Sequence, residues 1–438
     1  SIWCGSRVLP QDLDGIVDFK RYIPSLKAWF REEWHRLNAV PPPPGRGLLM
    51  GCPLWGDAFI DRFFFFCLPS IRSPKNIEAL QAHGCRLVIF TDEAGFDRMW
   101  VMKRALRSSG IDVVPRVIPK GIMEQVPDKP LNKYWLLGTV QQLLVQEAAE
   151  SGMGFHMLMP DHLYCEDYFV KLFNLAIDND CIAQTSISGN VETCLPELEQ
   201  WRDAKRWLDD GEKEANPHFG SLSIPALELG DLGWRHLHAQ TRYNLMNGVD
   251  ITKEFPRTHF QCWQGKDKLY LYCCHMNAAW MAPEVCRNAP VRLHNALDTE
   301  LPYFMTPNAT VCIPEASDGM TFIELSDDTK MGAGKADMVP FIEFAHQCWH
   351  TVHWQDDWEP FFRVANEVPI KEQATYMEVD EIQRRQNSIV QALINVKPIL
   401  QKRMEEMDKA RAAAVEQKPK NRKERRRLAA TGMAHAAD

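Results

Sequence analysis

The fold of this chain is decided by the segment Gly154-Phe155-His156-Met157-Leu158-Met159-Pro160-Asp161-His162-Leu163-Tyr164. Its apolar run is too short for a helix, follows the chain-breaking pair Ser151-Gly152 and is closed by a proline, so it predicts a buried β-strand. This strand ends in an acid and an imidazole, Asp161 and His162. Ligands of α/β proteins bind at the carboxyl ends of the strands, and Asp161 therefore stands where chemistry is expected.

Strand and helix signals alternate on both sides of this segment. Predicted strands cover residues 47–52, 85–90, 111–115 and 181–185, and predicted helices cover 58–67, 74–83, 96–108, 131–149 and 166–178. Elements at this spacing favour an α/β fold with a mainly parallel, Rossmann-like sheet that is covered by helices on both faces. Later elements are strands at 268–273, 309–313 and 322–325 and a helix at 338–362.

Composition divides the 438 residues into four parts. Residues 1–45 form a helical N-terminal extension that ends in a proline-rich linker, because their apolar residues recur at three- and four-residue steps. Residues 46–335 form the α/β domain. Residues 336–415 form a C-terminal helical region, in which Pro398 predicts a kink or a break. The basic tail, 416–438, has too few apolar residues to fold alone.

Charge and cysteine usage restrict the class of protein. The chain carries a net charge of −8, yet the part from Lys402 onward has 11 basic against 6 acidic residues. An acidic body argues against a protein that lies along nucleic acid, while the basic tail is either solvated or contacts RNA or anionic lipid. No apolar run is long enough to cross a membrane, and no secretory signal opens the sequence. The 13 cysteines show no C-x-x-C spacing, so we expect reduced thiols and a cytoplasmic location.

Three motifs together resemble the glycosyltransferases of the A-type fold. Thr91-Asp92 ends the second predicted strand, Asn132-Lys133-Tyr134-Trp135-Leu136-Leu137 opens a helix, and Met159-Pro160-Asp161 ends the fourth strand. In that family a Rossmann-like half binds a nucleotide sugar, and an Asp-x-Asp motif on the fourth strand holds a divalent cation on the diphosphate. The resemblance covers residues 47–190. Met159 stands where the first acid of the motif is expected, which leaves a weaker metal site or a metal-free site as alternatives.

The resemblance implies roles for individual residues. It implies a nucleotide-sugar donor, a glycan, lipid or protein acceptor, and Mn²⁺ or Mg²⁺ as cofactor. The candidate metal ligands are Asp161, His275 and His353, the candidate donor-binding residues are Asp92, Lys133 and His162, and the candidate general base is Asp298. Each candidate has a structural alternative: the aspartates as helix caps or turn residues, the lysine as a solvated side chain and the histidines as packed core residues.

Two functional hypotheses follow. The first is a glycosyltransferase-like enzyme that moves a sugar from a nucleotide diphosphate to an acceptor. The second is a catalytically silent α/β module whose polar C-terminal helix and basic tail contact a partner. The two hypotheses differ in whether Asp161, a late histidine and Asp92 converge on one pocket.

Overall fold

The computed structural model describes residues 24–39, 47–99, 111–125, 130–201, 220–256, 260–273, 276–289, 309–327, 338–351 and 362–416. The chain divides into two compact units, residues 1–386 and 387–438. The first unit carries the β-sheets, and the described part of the second unit is helical. The three boundaries between the four predicted parts stay predictions.

The first unit is built on a seven-stranded sheet. The described strands are β1 (Leu48–Leu54), β2 (Cys85–Thr91), β3 (Asp112–Val117), β4 (Gly154–Met157), β5 (His162–Tyr164), β6 (Cys181–Gln184), β7 (Ser188–Asn190), β8 (Phe255–Pro256), β9 (Phe260–Gln264), β10 (Lys268–Cys273), β11 (Asn277–Met281), β12 (Val311–Cys312), β13 (Phe322–Ser326), β14 (Met338–Val339) and β15 (Asn366–Pro369). The order of the large sheet is β3-β2-β1-β4-β11-β6-β12. All its pairs are parallel except those of β11, which runs antiparallel to β4 and β6. The predicted α/β class with a mainly parallel sheet is confirmed.

The centre of this sheet is β1, which is buried along its whole length. It pairs with β2 from Leu48 opposite Cys85 to Leu54 opposite Thr91. On its other side it pairs with β4 from Leu48 opposite Gly154 to Gly51 opposite Met157. Parallel strands buried on both faces have nearly continuous apolar sequences, which is why the run Leu48-Leu49-Met50 forms a strand here. The chain therefore leaves β1 for β2 and β3 on one side and returns for β4 on the other.

A proline marks the point where β1 and β4 separate. The Gly51 carbonyl accepts a 2.9 Å hydrogen bond from the Leu158 N–H. Backbone groups two residues apart on a strand point to the same side, so Pro53 also faces the side of β4. Pairing with β4 has already ended there, and the missing N–H of Pro53 therefore removes no hydrogen bond from the sheet.

The described ranges also contain helices. They are α1 (Pro24–Ala39), α2 (Asp57–Arg62), α3 (Leu68–Ile71), α4 (Pro74–His83), α5 (Lys120–Met123), α6 (Pro130–Ser151), α7 (Tyr168–Ala176), α8 (Val191–Trp201), α9 (Ala226–Arg235), α10 (Ala239–Tyr243), α11 (Pro283–Asn288), α12 (Phe341–Thr351) and α13 (Val379–Glu416). A π-helical turn, Phe63–Cys67, joins α2 to α3, and residues 93–99 are also helical. Helix α6 packs on β1, β4 and α1, while α4 packs on α7.

Three smaller sheets complete the first unit. Their orders are β15-β10-β9, β5-β13-β7 and β14-β8. In the second of these sheets β13 runs antiparallel to β5 and parallel to β7. This sheet matters for function because β5 begins directly after Asp161.

The structure changes four of the predicted elements. The strand that begins at Gly154 ends at Met157, so Asp161 lies in a turn between β4 and β5. The strand predicted at 309–313 is limited to β12. The helix predicted from residue 338 begins as β14 and becomes helical at Phe341. Helix α13 continues through Pro398, because the hydrogen bonds on either side of the proline hold the helix together; the predicted break is wrong, and the alternative, a kink, stays a prediction.

None of the helices in the described ranges is both long enough and apolar enough to cross a membrane.

Candidate functional site

The turn that carries Asp161 is fixed by its backbone. Leu158 N–H donates to the Gly51 carbonyl at 2.9 Å, and His162 N–H donates to the Met159 carbonyl at 3.2 Å. The Asp161 carbonyl in turn accepts a 2.8 Å bond from Leu325 N–H on β13. The turn is thereby tied both to β1 and to β13. It lies at the carboxyl end of β4, next to the switch between β1 and β4 where doubly wound sheets bind ligands.

Asp161 is buried among charged side chains. The residue is only 8% exposed. The pKa of the carboxylate is raised to about 7: burial is the largest cause, the Glu324 carboxylate also raises the pKa, and a backbone hydrogen bond, Arg62 and Lys133 lower it. At neutral pH Asp161 therefore exchanges a proton readily, unlike an ordinary surface aspartate.

The pairing of β13 with β5 places Glu324 near Asp161. It stands opposite His162 in that antiparallel pair, and the Ser326 hydroxyl donates to its Oε1 at 2.9 Å. The sequence analysis did not select Glu324. The only local signal is an acid in the otherwise apolar run Phe322-Ile323-Glu324-Leu325, and nothing in that run indicates which strand it meets.

Two cationic side chains also act on Asp161, and both contact the ring of Phe59. The Lys133 Nζ lies 5.1 Å from the centroid of that ring, and the Arg62 guanidinium carbon lies 5.5 Å from it. Arg62 is also paired with Asp327, while Lys133 is exposed near the start of α6. Lys133 was selected from the sequence. Arg62 was missed, although a charge directly before four phenylalanines is an unusual signal.

His162 is placed in the core by the alternation of β5. It is 3% exposed, its Nδ1 lies 3.1 Å from the Tyr164 hydroxyl, and its ring lies 4.5 Å from the ring of Phe322. The aromatic cluster formed by His162, Tyr164 and Phe322 therefore packs side chains against the imidazole ring. A contact between His162 and a phosphate stays a prediction.

Asp92 joins two loops at the carboxyl end of β2. Its Oδ1 accepts a 2.7 Å bond from Gly95 N–H, and its Oδ2 accepts a 3.1 Å bond from Gly56 N–H. The first bond caps the helical residues 93–99, as expected for an aspartate in this position. The second bond ties that cap to the loop after β1. A further role of Asp92 in binding a nucleotide stays a prediction.

The remaining candidates fall outside the described residues. These are the predicted base Asp298 and the predicted metal ligands His275 and His353. Across the ranges that the structure describes, no three His, Cys, Asp or Glu side chains form a group that could hold a metal ion. Asp161 and the nearby Glu324 provide two carboxylates, which are too few to complete the ligand shell of a metal ion.

Two buried thiols, Cys52 and Cys67, lie near the turn that carries Asp161. Burial raises the pKa of Cys52 and Cys67 well above the ordinary value, and the charge of Asp161 raises both further. The Cys67 thiol donates to the Met159 carbonyl at 3.5 Å. Such thiols remain protonated and are poor nucleophiles, so the chemistry of this turn belongs to its carboxylates and cations. All 11 cysteines of the described ranges are free thiols.

Comparison with known proteins identifies no family. No protein-family model matches the chain, and no curated protein matches it. One similar solved structure is described as a glucose-1-phosphate thymidylyltransferase from Bacillus anthracis in complex with sucrose, with a TM-score of 0.22, 8% identity and coverage of 32% of this chain and 55% of that chain. Another is the apo form of mouse xyloside xylosyltransferase 1, with a TM-score of 0.22, 15% identity and coverage of 40% and 64%. The chain thus covers less than two thirds of either protein, and at this TM-score neither likeness bears on function.

Proposed function

We propose that the first unit binds a nucleotide sugar at the carboxyl edge of its large sheet and transfers the glycosyl group to an acceptor hydroxyl. One observation carries this proposal: the buried Asp161 ends the β4 segment beside the strand-order switch and lies within electrostatic reach of two cations, Arg62 and Lys133. Ligands of open α/β sheets bind at this position. The order and directions of the strands support the donor-binding role, and the resemblance to A-type glycosyltransferases supplies the reaction.

The proposed chemistry requires charge neutralisation. The bond between the sugar C1 and the phosphate oxygen breaks, and its electron pair leaves with the nucleoside diphosphate. The acceptor oxygen forms the new bond to C1, and its proton passes to a carboxylate, for which Asp298 is our candidate. Positive groups near the departing phosphate stabilise this transition state. Arg62 and Lys133 are the described side chains with the charge to do so.

Mn²⁺ or Mg²⁺ is part of the proposal as a prediction from the resemblance. When bound, such an ion would supply positive charge to the diphosphate, with Asp161, His275 and His353 as its proposed ligands. Because the described side chains do not complete a ligand set, we derive no step through a metal. The acceptor, a glycan, a lipid or a protein, is proposed only at the level of a hydroxyl group.

Calorimetric titration tests the proposal. UDP, GDP and dTDP would each be titrated into the full chain with Mn²⁺ and with EDTA. We expect one of them to bind with Mn²⁺, and we expect Asp161→Ala to abolish that binding. Glu284→Gln, which changes an exposed carboxylate on α11, is the matched control and should bind normally. Failure of all three nucleotides under both conditions would overturn the proposal and favour the interaction module, whose contacts would be the C-terminal helix and the basic tail.

A further inference from the structure

The ring of Phe59 is contacted by two positive charges. Lys133 Nζ and the Arg62 guanidinium carbon lie 5.1 Å and 5.5 Å from its centroid. The three side chains come from two elements, α2 and α6, which the sheet brings together. Two cations that contact the same ring repel each other, and an anion that contacts both relieves this repulsion.

Arg62 lies at the junction between an α-helix and a π-helical turn. It is the last residue of α2 and directly precedes the π-helical turn Phe63–Cys67, whose side chains are largely buried. Turns of this kind are rare and occur often at functional sites. Arg62 itself is only 8% exposed. A buried guanidinium at the start of a fixed turn is preorganised, so little entropy is lost when it binds a ligand.

Contacts among the described residues use only some of the N–H donors of Arg62 and Lys133. A guanidinium has five N–H donors, and among the described residues Arg62 uses its Nη2 toward Asp327. Within the same ranges no carboxylate forms an ion pair with Lys133. Both charges act on the Asp161 carboxylate.

We infer that Arg62, Lys133 and Phe59 form an anion cradle that binds a diphosphate without a divalent cation, with Arg62 exchanging Asp327 for a phosphate oxygen. Arginine suits this exchange because its planar fork matches phosphate as well as carboxylate. The inference rests on the proposed function, since it names the side chains that would hold the donor's diphosphate. It adds that the chain itself supplies the charge and that Asp327 competes with the ligand.

Titration of inorganic pyrophosphate into the full chain in EDTA tests the cradle. We expect saturable binding that weakens as salt is raised. Arg62→Gln and Lys133→Gln should each weaken it at least about tenfold, because each removes charge-assisted hydrogen bonds. Arg98→Gln is the matched control, since Arg98 also lies over a phenylalanine ring, at 5.3 Å from the centroid of Phe64, and is also paired with an aspartate, Asp61. Its binding should equal that of the wild type.

Two further variants separate the cradle from mere damage to the fold. Asp327→Asn removes the competitor and Asp161→Asn removes an opposing charge, so both should tighten pyrophosphate binding several-fold. Weakened folding cannot produce tighter binding. Absence of binding by the wild type in EDTA, equal weakening by Arg98→Gln, or weaker binding by Asp327→Asn would each overturn the inference.

The same titrations distinguish this inference from the proposed function. If a nucleotide binds with Mn²⁺ while pyrophosphate fails to bind in EDTA, the proposed function stands and the cradle is wrong. If pyrophosphate binds in EDTA and no nucleotide binds under either condition, the cradle stands and the proposed function is wrong.

Discussion

The backbone N–H of Leu325 donates a 2.8 Å hydrogen bond to the carbonyl oxygen of Asp161. This bond fixes the end of β13 against the turn after β4, and the residue before Leu325 is Glu324. The two carboxylates are therefore kept near each other by the backbone, whatever their charge. Their repulsion adds to the burial of Asp161 and raises the pKa of its carboxylate from 3.8 to about 7.

This raised pKa predicts how stability depends on pH. Below pH 4 Asp161 is protonated in both the folded and the unfolded chain. Between pH 4 and 7 the unfolded chain loses the proton while the folded chain keeps it, so Asp161 makes the fold less stable as the pH rises. Asparagine cannot ionise. We therefore expect Asp161→Asn to be more stable than the wild type at pH 8 by on the order of 4 kcal/mol, with the difference vanishing near pH 4.

Urea denaturation at a series of pH values measures this difference. Glu324→Gln is the informative companion, because removal of the like charge lowers the pKa of Asp161 and moves the pH dependence to lower pH. A stability difference for Asp161→Asn that stays constant from pH 4 to 8 would show that the carboxylate does not titrate in this range.

Asp92 predicts a loss of stability that is independent of ligands. Its two oxygens hold the N–H groups of Gly95 and Gly56, so Asp92→Ala should lower the free energy of unfolding by about 1–2 kcal/mol. Asp92→Asn keeps one acceptor oxygen and should lose less. Chemical denaturation measures both variants. If Asp92→Asn is as stable as the wild type but binds nucleotide more weakly, the carboxylate also has the predicted donor-binding role.

A side chain at position 154, at the start of β4, would collide with Trp280. A Cβ added there would lie 2.1 Å from the Trp280 ring. Gly154→Ala should therefore cost about 3 kcal/mol of unfolding free energy, because a packed core does not absorb such an overlap. Trp280→Leu in the same chain should recover part of the loss. Gly121→Ala is the control: its Cβ meets nothing within 4 Å, and alanine favours the helix in which it lies.

Arg116 on β3 and Glu147 on α6 form an ion pair for which we expect a large coupling energy. Arg116 Nε and Nη2 lie 3.0 Å and 2.6 Å from the two oxygens of Glu147, whose side chain is 2% exposed. Arg116→Met leaves that carboxylate buried and unpaired, so it should cost about 3 kcal/mol or more. The double variant with Glu147→Leu should be more stable than Arg116→Met alone.

A double-mutant cycle measured by denaturation gives this coupling energy. The exposed pair of Arg98 with Asp61 is the comparison, and its coupling should stay below about 1 kcal/mol. Equal couplings for the two pairs would contradict the argument from burial.

The large sheet was predictable where its strands are continuous apolar runs. Strands β1 and β2 are buried on both faces, so their sequences carry a strong local signal. Strand β11 was missed, because the apolar run in Asn277-Ala278-Ala279-Trp280-Met281 is short, contains no β-branched residue and shows no clear alternation. Its antiparallel position between β4 and β6 is set by tertiary packing.

The sequence indicated Asp161 and Lys133 as candidate site residues, but not Arg62 or Glu324. Asp161 follows a short apolar run, and that position alone indicates the end of a strand. Arg62 and Asp327 form a pair across 265 positions of sequence, and no local pattern can indicate such a partner. The ligand contact predicted for His162 rests only on its position after Asp161 and stays a prediction. The alternation of β5 places the His162 side chain with Tyr164 in the aromatic cluster.

The position of β11 has a consequence for biosynthesis. Strands β4 and β6 never pair with each other; each pairs with β11, which follows both in sequence. While the ribosome has not yet released residue 277, the newly made β4 and β6 each present an open hydrogen-bonding edge. Such edges recruit other chains, and contacts of this range form slowly. The growing chain is therefore most prone to aggregation in this interval, and it is the stage at which a chaperone that covers strand edges would most improve the yield of native protein.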